Sequence, residues 1–154
     1  ARCSPTATLL SYNTGAGGTG VIDDGAFTVG ECRVIGQADA GSITVNAQGT
    51  LAAAGISVSG SSPGPASSLI VNGGTVAAGQ ISGLPNGSVT FTGGTLRFTQ
   101  DNPAYFLGFN PGAVQLNGDS VTFDTQQYNI ATSYALAGDA QPIKTGAGQL
   151  TPTA

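Results

Sequence analysis

The side chains with catalytic potential in this sequence are mainly carboxylates, because the chain contains no histidine. Acid–base and nucleophilic catalysis mostly recruit His, Cys, Lys or paired carboxylates. The absence of histidine excludes His-based triads, and it also excludes zinc sites built from Cys and His together. The acidic residues are spread along the chain. They are Asp23, Asp24, Glu31, Asp39, Asp101, Asp119, Asp124 and Asp139.

The segments that must position these carboxylates have the pattern of β-strands. The phrase SLIVNGGTVAAG at 68–79 returns as SVTFTGGTLRFT at 88–99, and both phrases alternate apolar with small polar residues around a Gly-Gly turn. Such alternation is typical of a strand with one buried face. Charged residues make up 8 % of the chain, and none occurs from Ala40 to Leu96. Because the 3.6-residue period of helices is also missing, we predict an all-β protein.

The turn-plus-strand unit recurs at steps of 20 to 29 residues, which indicates a repeat architecture. We place its turns at Gly25, Gly49, Gly74, Gly94, Asp119 and Gly148. A single unit cannot bury its apolar face, but stacked units can, with equivalent strands about 4.8 Å apart. We therefore predict one domain over residues 1–154, a parallel β-solenoid of about five or six rungs. Residues 1–20 would form an N-terminal segment or cap, and residues 21–151 the rungs.

The same alternation assigns the side chains that should face the core. After the turns they are Phe27, Val29, Leu51, Ala53, Val76, Ala78, Leu96, Phe98, Val121 and Phe123, and before the turns Ile43, Val45, Leu69, Val71, Val89, Phe91, Val114 and Leu116. Asn46, Asn72 and Asn117 recur near one turn and predict either a ladder of stacked amides or simple turn-forming residues. A β-sandwich is the alternative fold, since it also has many short strands.

The C-terminal part of the chain resembles a known family. The phrase IKTGAGQLT at 143–151 is similar to a recurring phrase of bacterial autotransporter passenger repeats, and GGTLRF at 93–98 resembles another. The resemblance implies a right-handed β-helix that is exported to the cell surface. It implies no catalytic residues, because the phrases are structural. No membrane barrel follows the phrase, which would suit either an excised passenger fragment or a small secreted protein.

The charge distribution limits the partners of the chain. Its net charge is −4, and its four basic residues, Arg2, Arg33, Arg97 and Lys144, are far apart. Nucleic acids and anionic membrane surfaces require clustered basic residues, so we expect neither as a partner. Gly, Ser, Thr and Asn interrupt every apolar run, which argues against membrane insertion. We expect no cofactor, and a secreted, extracellular or bacterial cell-surface location.

The two cysteines, Cys3 and Cys32, permit one disulfide in an oxidising compartment. Their separation is near one solenoid step, so neighbouring rungs would bring them close. An intrachain bond would lock the first rung as a cap, and an interchain bond would join subunits. Two unpaired small core residues are the remaining interpretation.

The ends of a solenoid suggest self-association. Natural proteins protect exposed strand edges with charge, proline or a cap. We predict that Leu9, Leu10 and Tyr12 of one subunit complete the sheet of the next around Ile143 and Leu150. The predicted function is a non-catalytic extracellular structural protein that stacks end to end into a cell-surface or biofilm-matrix fibre. The alternatives are an adhesin-type passenger fragment that binds a host or neighbouring cell, and a glycan-active β-helix enzyme.

Other features leave alternatives open. Tyr105, Phe106, Leu107 and Phe109 either pack inside the solenoid or form an exposed aromatic patch for binding. Arg97 and Asp124 should face outward on adjacent rungs, as a surface ion pair or, less simply, as part of a glycan-cleaving site. The Gly- and Asp-rich stretch at 17–25 resembles calcium-binding β-roll repeats, although only one copy is present.

Overall fold

The computed structural model describes residues 18–36, 40–58, 66–132 and 136–152, with the side chains of residues 31–34 left out. These residues form strands and turns, and no helix occurs among them. The strands are β1 Gly18–Ile35, β2 Gly41–Val58, β3 Ser67–Asn72, β4 Thr75–Ala78, β5 Ile81–Gly83, β6 Gly87–Thr92, β7 Thr95–Phe98, β8 Phe106–Leu107, β9 Val114–Asn117, β10 Ser120–Asp124, β11 Ile130–Thr132, β12 Ala137–Gly138, β13 Gln141–Thr145 and β14 Leu150–Pro152.

The strands stack into three walls, each of which receives a strand from successive turns of the chain. The first wall contains the beginnings of β1 and β2, followed by β3, β6, β9 and β12. The second wall contains the middle parts of β1 and β2, followed by β4, β7, β10 and β13. The third wall contains the ends of β1 and β2, followed by β5 and β8. The pair β11–β14 continues below it, joined by a hydrogen bond from Tyr105 N to Ala131 O of 3.0 Å.

Every pairing between these strands is parallel. Leu51 faces Val76, and Val76 faces Leu96, so like residues stack on like residues. The chain is therefore a β-solenoid of about five turns. This confirms the predicted solenoid and rules out the β-sandwich, whose strands would be antiparallel. Right-handedness stays a prediction.

The core follows the predicted alternation. The inward positions of the middle turns, such as Val45, Leu69 and Phe91, are fully buried, whereas their outward neighbours are half-buried or exposed. Phe27 and Val29 of the first turn are only partly buried. The predicted amide ladder is present for two of its three residues: Asn72 Nδ2 donates to Asn46 Oδ1 at 3.0 Å, and Asn46 Nδ2 donates to Asp23 Oδ1 at 2.5 Å. Asn117 lies outside it, because its register partner is Thr92.

One predicted turn position is wrong, and another is right in place but shifted in register. Asp119 does lie in the turn between β9 and β10, but Thr95 faces Thr122, so the strand after this turn pairs two residues later than predicted. The last strand of the second wall is β13, and Gly148 belongs to the corner that leads to β14. The sequence misled us here because the length of each return varies. A Gly or Asp turn looks the same at either corner of the coil.

The exposed aromatic patch is also wrong for three of its four residues. Tyr105 and Phe106 are fully buried and Phe109 is 2 % exposed, while Leu107 is 50 % exposed. Tyr105 packs edge-on against Phe98 and Phe106, with ring centroids 4.6 and 5.1 Å apart. Its hydroxyl donates to Ala78 O at 3.1 Å. The aromatic side chains of the long return at 99–113 thus belong to the close-packed core.

Candidate association surface

The predicted association residues are only partly within the described chain. Leu9, Leu10 and Tyr12 lie outside the described residues, as does Cys3, and the side chain of Cys32 is not described. The proposed disulfide and the N-terminal partner strand therefore stay predictions. Ile143 and Leu150 are described, and they lie on β13 and β14, the strands of the last described turn.

The last described turn presents an exposed strand edge. Among the described residues, β13 pairs with β10 and β14 pairs with β11, so the opposite edge of each strand is unpaired. All five residues of β13 are exposed. Ile143 is 46 % exposed on the outer face, and Leu150 is partly buried against the core. This edge is where another strand could add by backbone pairing.

The direction of the backbone groups follows from the observed hydrogen bonds of β13. Gln141 N donates to Asp119 O at 3.1 Å, and Thr145 O accepts from Thr125 N at 3.0 Å. Successive residues of a strand point their N–H and C=O groups to opposite neighbours. Pro142 and Lys144 therefore point their backbone groups to the unpaired edge. Proline has no N–H, so Lys144 is the residue of this strand that offers a donor there.

The edge of β14 has the same character. Gln149 O accepts from Ile130 N at 2.9 Å, so the backbone groups of Leu150 and Pro152 point away from β11. Again a proline removes a donor at the edge, and again the carbonyl remains. Across both strands the edge offers more backbone acceptors than donors. It therefore favours a partner strand that donates its N–H groups.

The sequence reasoning placed Arg97 and Asp124 on adjacent rungs, and the structure shows them as direct register partners. Arg97 Nε donates to Asp124 Oδ2 at 3.1 Å. Gln126, whose φ of 54° is unusual for a residue other than glycine, donates to Asp124 from its backbone N at 3.2 Å and its side chain at 2.5 Å. The surface ion pair is confirmed, and it also holds the strained turn after β10.

The carboxylates of Asp23 and Asp24 both accept hydrogen bonds from other groups of the chain. Asp23 accepts from Asn46, and Asp24 Oδ1 accepts from Gly25 N at 2.7 Å. In the part of the chain that the structure describes, no three His, Cys, Asp or Glu side chains come together as a possible metal site.

A polar column at the corner between the second and third walls was not predicted from the sequence. Asp101 Oδ1 accepts from Asn129 N at 2.7 Å, and Asn129 Oδ1 accepts from Gln149 N at 3.1 Å. Each side chain thus caps the backbone of the next turn. A shallow cleft of about 350 Å³ runs beside this column, with Pro103 and Thr151 in its lining. The irregular spacing of the column residues, 28 and 20 positions, hid it in the sequence.

Comparison with known proteins gave no relative: no family model, curated protein or solved structure matches the chain. The resemblance to autotransporter passenger repeats therefore stays a prediction. No helix among the described residues is long and apolar enough to cross a membrane.

Proposed function

We propose that this chain is a non-catalytic extracellular structural protein whose solenoids associate end to end into a fibre at the cell surface or in a biofilm matrix. The observation that carries the proposal is the exposed, singly paired edge of β13 and β14. A sheet edge of this kind binds another strand through backbone hydrogen bonds, and the parallel stacking of the solenoid supplies a matching geometry.

The composition of the edge favours head-to-tail contact. Two edge prolines leave an excess of carbonyl acceptors, whereas β1 in the first described turn contains no proline and retains every backbone N–H. Two acceptor-rich ends would pair poorly with each other. A contact between unlike ends is heterologous and repeats without limit unless its rotation closes a ring.

The chemistry of the carboxylates supports a non-catalytic role. Asp124 is engaged by Arg97 and Gln126, which favour its charged form, so at neutral pH the carboxylate holds no proton to give to a substrate. Asp101 caps the next turn, and Asp23 ends the amide ladder. These carboxylates serve the backbone and the solenoid surface. The extracellular location rests on the resemblance of residues 143–151 to exported passenger repeats.

Sedimentation velocity over a concentration series tests the proposal, with two matched variants. Ile143→Lys places a charge on the edge strand, and Leu107→Lys places the same charge at an equally exposed site within the solenoid wall. Charge at a strand edge opposes strand addition. We expect wild type and Leu107→Lys to associate alike, and Ile143→Lys to associate at least tenfold more weakly, a change of about 1.4 kcal/mol. Association that is lost in Leu107→Lys and kept in Ile143→Lys would contradict end-to-end contact.

The adhesin is the second candidate, and the edge prolines favour it. Pro142 and Pro152 lie where proline blunts a strand edge against addition. In this case the flank would bind a host or neighbouring cell, and the exposed Leu107 on the third wall would be part of it. A wild-type chain that stays monomeric at every concentration would favour the adhesin over the fibre.

A further inference from the structure

The corner column of Asp101, Asn129 and Gln149 repeats one contact from turn to turn. In each step a side-chain oxygen accepts the backbone N–H of the next column residue, at 2.7 Å and then at 3.1 Å. The backbone of the same corner is joined by Asn102 N to Asn129 O at 3.0 Å and Ile130 N to Gln149 O at 2.9 Å. The side-chain cap and the backbone bond therefore set the register together.

Gln149 occupies the last described position of this column. It is exposed, and its side chain makes no hydrogen bond to any described residue, although its backbone N is capped by Asn129. Its amide oxygen is the same type of acceptor that Asn129 uses one turn earlier. The column thus reaches the unpaired edge with an acceptor that caps no N–H among the described residues.

We infer that the Gln149 side chain caps a backbone N–H of the first turn of a second copy of this chain, and so fixes the register of end-to-end stacking. This inference rests on the proposed function. The occupant is a second copy because the column would then continue across the junction with the contact it makes at each internal step. A second copy also suits the acceptor-rich edge beside Gln149, where Leu150 and Pro152 offer carbonyl groups to the N–H groups of a partner strand.

The test compares variants of Gln149 by sedimentation velocity. Gln149→Leu removes the acceptor, whereas Gln149→Glu keeps an oxygen at the same reach, as the carboxylate of Asp101 does two turns earlier. Gln48→Ala, an exposed glutamine on β2, is the control. We expect Gln149→Leu to weaken association about fivefold to tenfold, the value of one hydrogen bond. Gln149→Glu and Gln48→Ala should associate like wild type.

The outcomes separate this inference from the proposed function. Wild type that does not associate overturns both. Association that is weakened by Ile143→Lys and unchanged by Gln149→Leu overturns the role of Gln149 alone. Equal weakening by Gln149→Leu and Gln149→Glu also overturns it, because a cap needs only an acceptor oxygen. The circular dichroism spectrum of each variant serves as a control, and only variants with the β-structure of the wild type enter the comparison.

Discussion

The Asp124 side chain shows how competing effects decide the state of a surface carboxyl. Partial burial acts to raise its pKa, but hydrogen bonds from Arg97 and from the backbone and side chain of Gln126 outweigh burial, and the pKa lies below its usual range. The charged form therefore stabilises the folded state. Since Arg97 is half exposed, solvent screens the pair and its contribution is small.

Asp124→Asn tests this balance. We expect it to lower the free energy of unfolding at neutral pH by about 0.5–1 kcal/mol, because the charge is lost while the shape is kept. The carboxylate contributes above the pKa it has in the unfolded chain, about 3.9, and its contribution disappears as the pH falls through the lower pKa of the folded state. Urea unfolding at pH 7 and below pH 3 should therefore show a difference that shrinks with acid. A constant difference would contradict the charge effect.

The Gly-Gly turn between β6 and β7 needs glycine for two different reasons. One is a left-handed backbone conformation, and the other is close approach to a neighbouring turn. Gly93 and Gly94 both have positive φ, at 75° and 88°. A Cβ on Gly93 would find its nearest neighbour, Ser120 O, at 3.8 Å, whereas a Cβ on Gly94 would lie 2.5 Å from Gly74 O of the turn above. Gly94 is therefore required by stacking as well as by the turn.

Alanine substitution of the two glycines should therefore lower the free energy of unfolding by different amounts. Gly93→Ala should lower the free energy of unfolding by about 1–2 kcal/mol, the penalty of a left-handed conformation. Gly94→Ala should cost about 1–3 kcal/mol more, because its methyl group forces the two turns apart. Chemical denaturation of both variants measures the difference. Equal costs would show that the turns are not stacked as closely as described.

The elements also show what the sequence could predict. The alternation in SLIVN and SVTFT identified the buried residues Leu69, Val71, Val89 and Phe91, because a period of two has a single buried face. It could not place the last turns, where returns of different length leave several glycines as equivalent candidates. Nor could it orient Tyr105 and Phe109, since an aromatic cluster in a long return suits a core or a surface equally until the neighbouring walls are known.

At the scale of the whole molecule, the repeated step was sufficient to predict the solenoid, because stacking is the way such units bury their faces. The exposed edge of β13 and β14 was predicted only in outline, and association through it stays a proposal. Ile143 and Leu150 do lie on the exposed edge. The sequence does not reveal the register of β13, however, and it is this register that turns the backbone groups of Pro142 and Lys144 toward the edge. The corner column is likewise formed by residues that are irregularly spaced along the chain.

The proposed end-to-end stacking of solenoids can be seen by electron microscopy of the purified chain at high concentration, combined with diffraction from aligned assemblies. We predict unbranched filaments one solenoid wide, with strands perpendicular to the filament axis and a repeat of about 4.8 Å along that axis. Separate particles at every concentration, or filaments whose strands run along the axis, would contradict the claim.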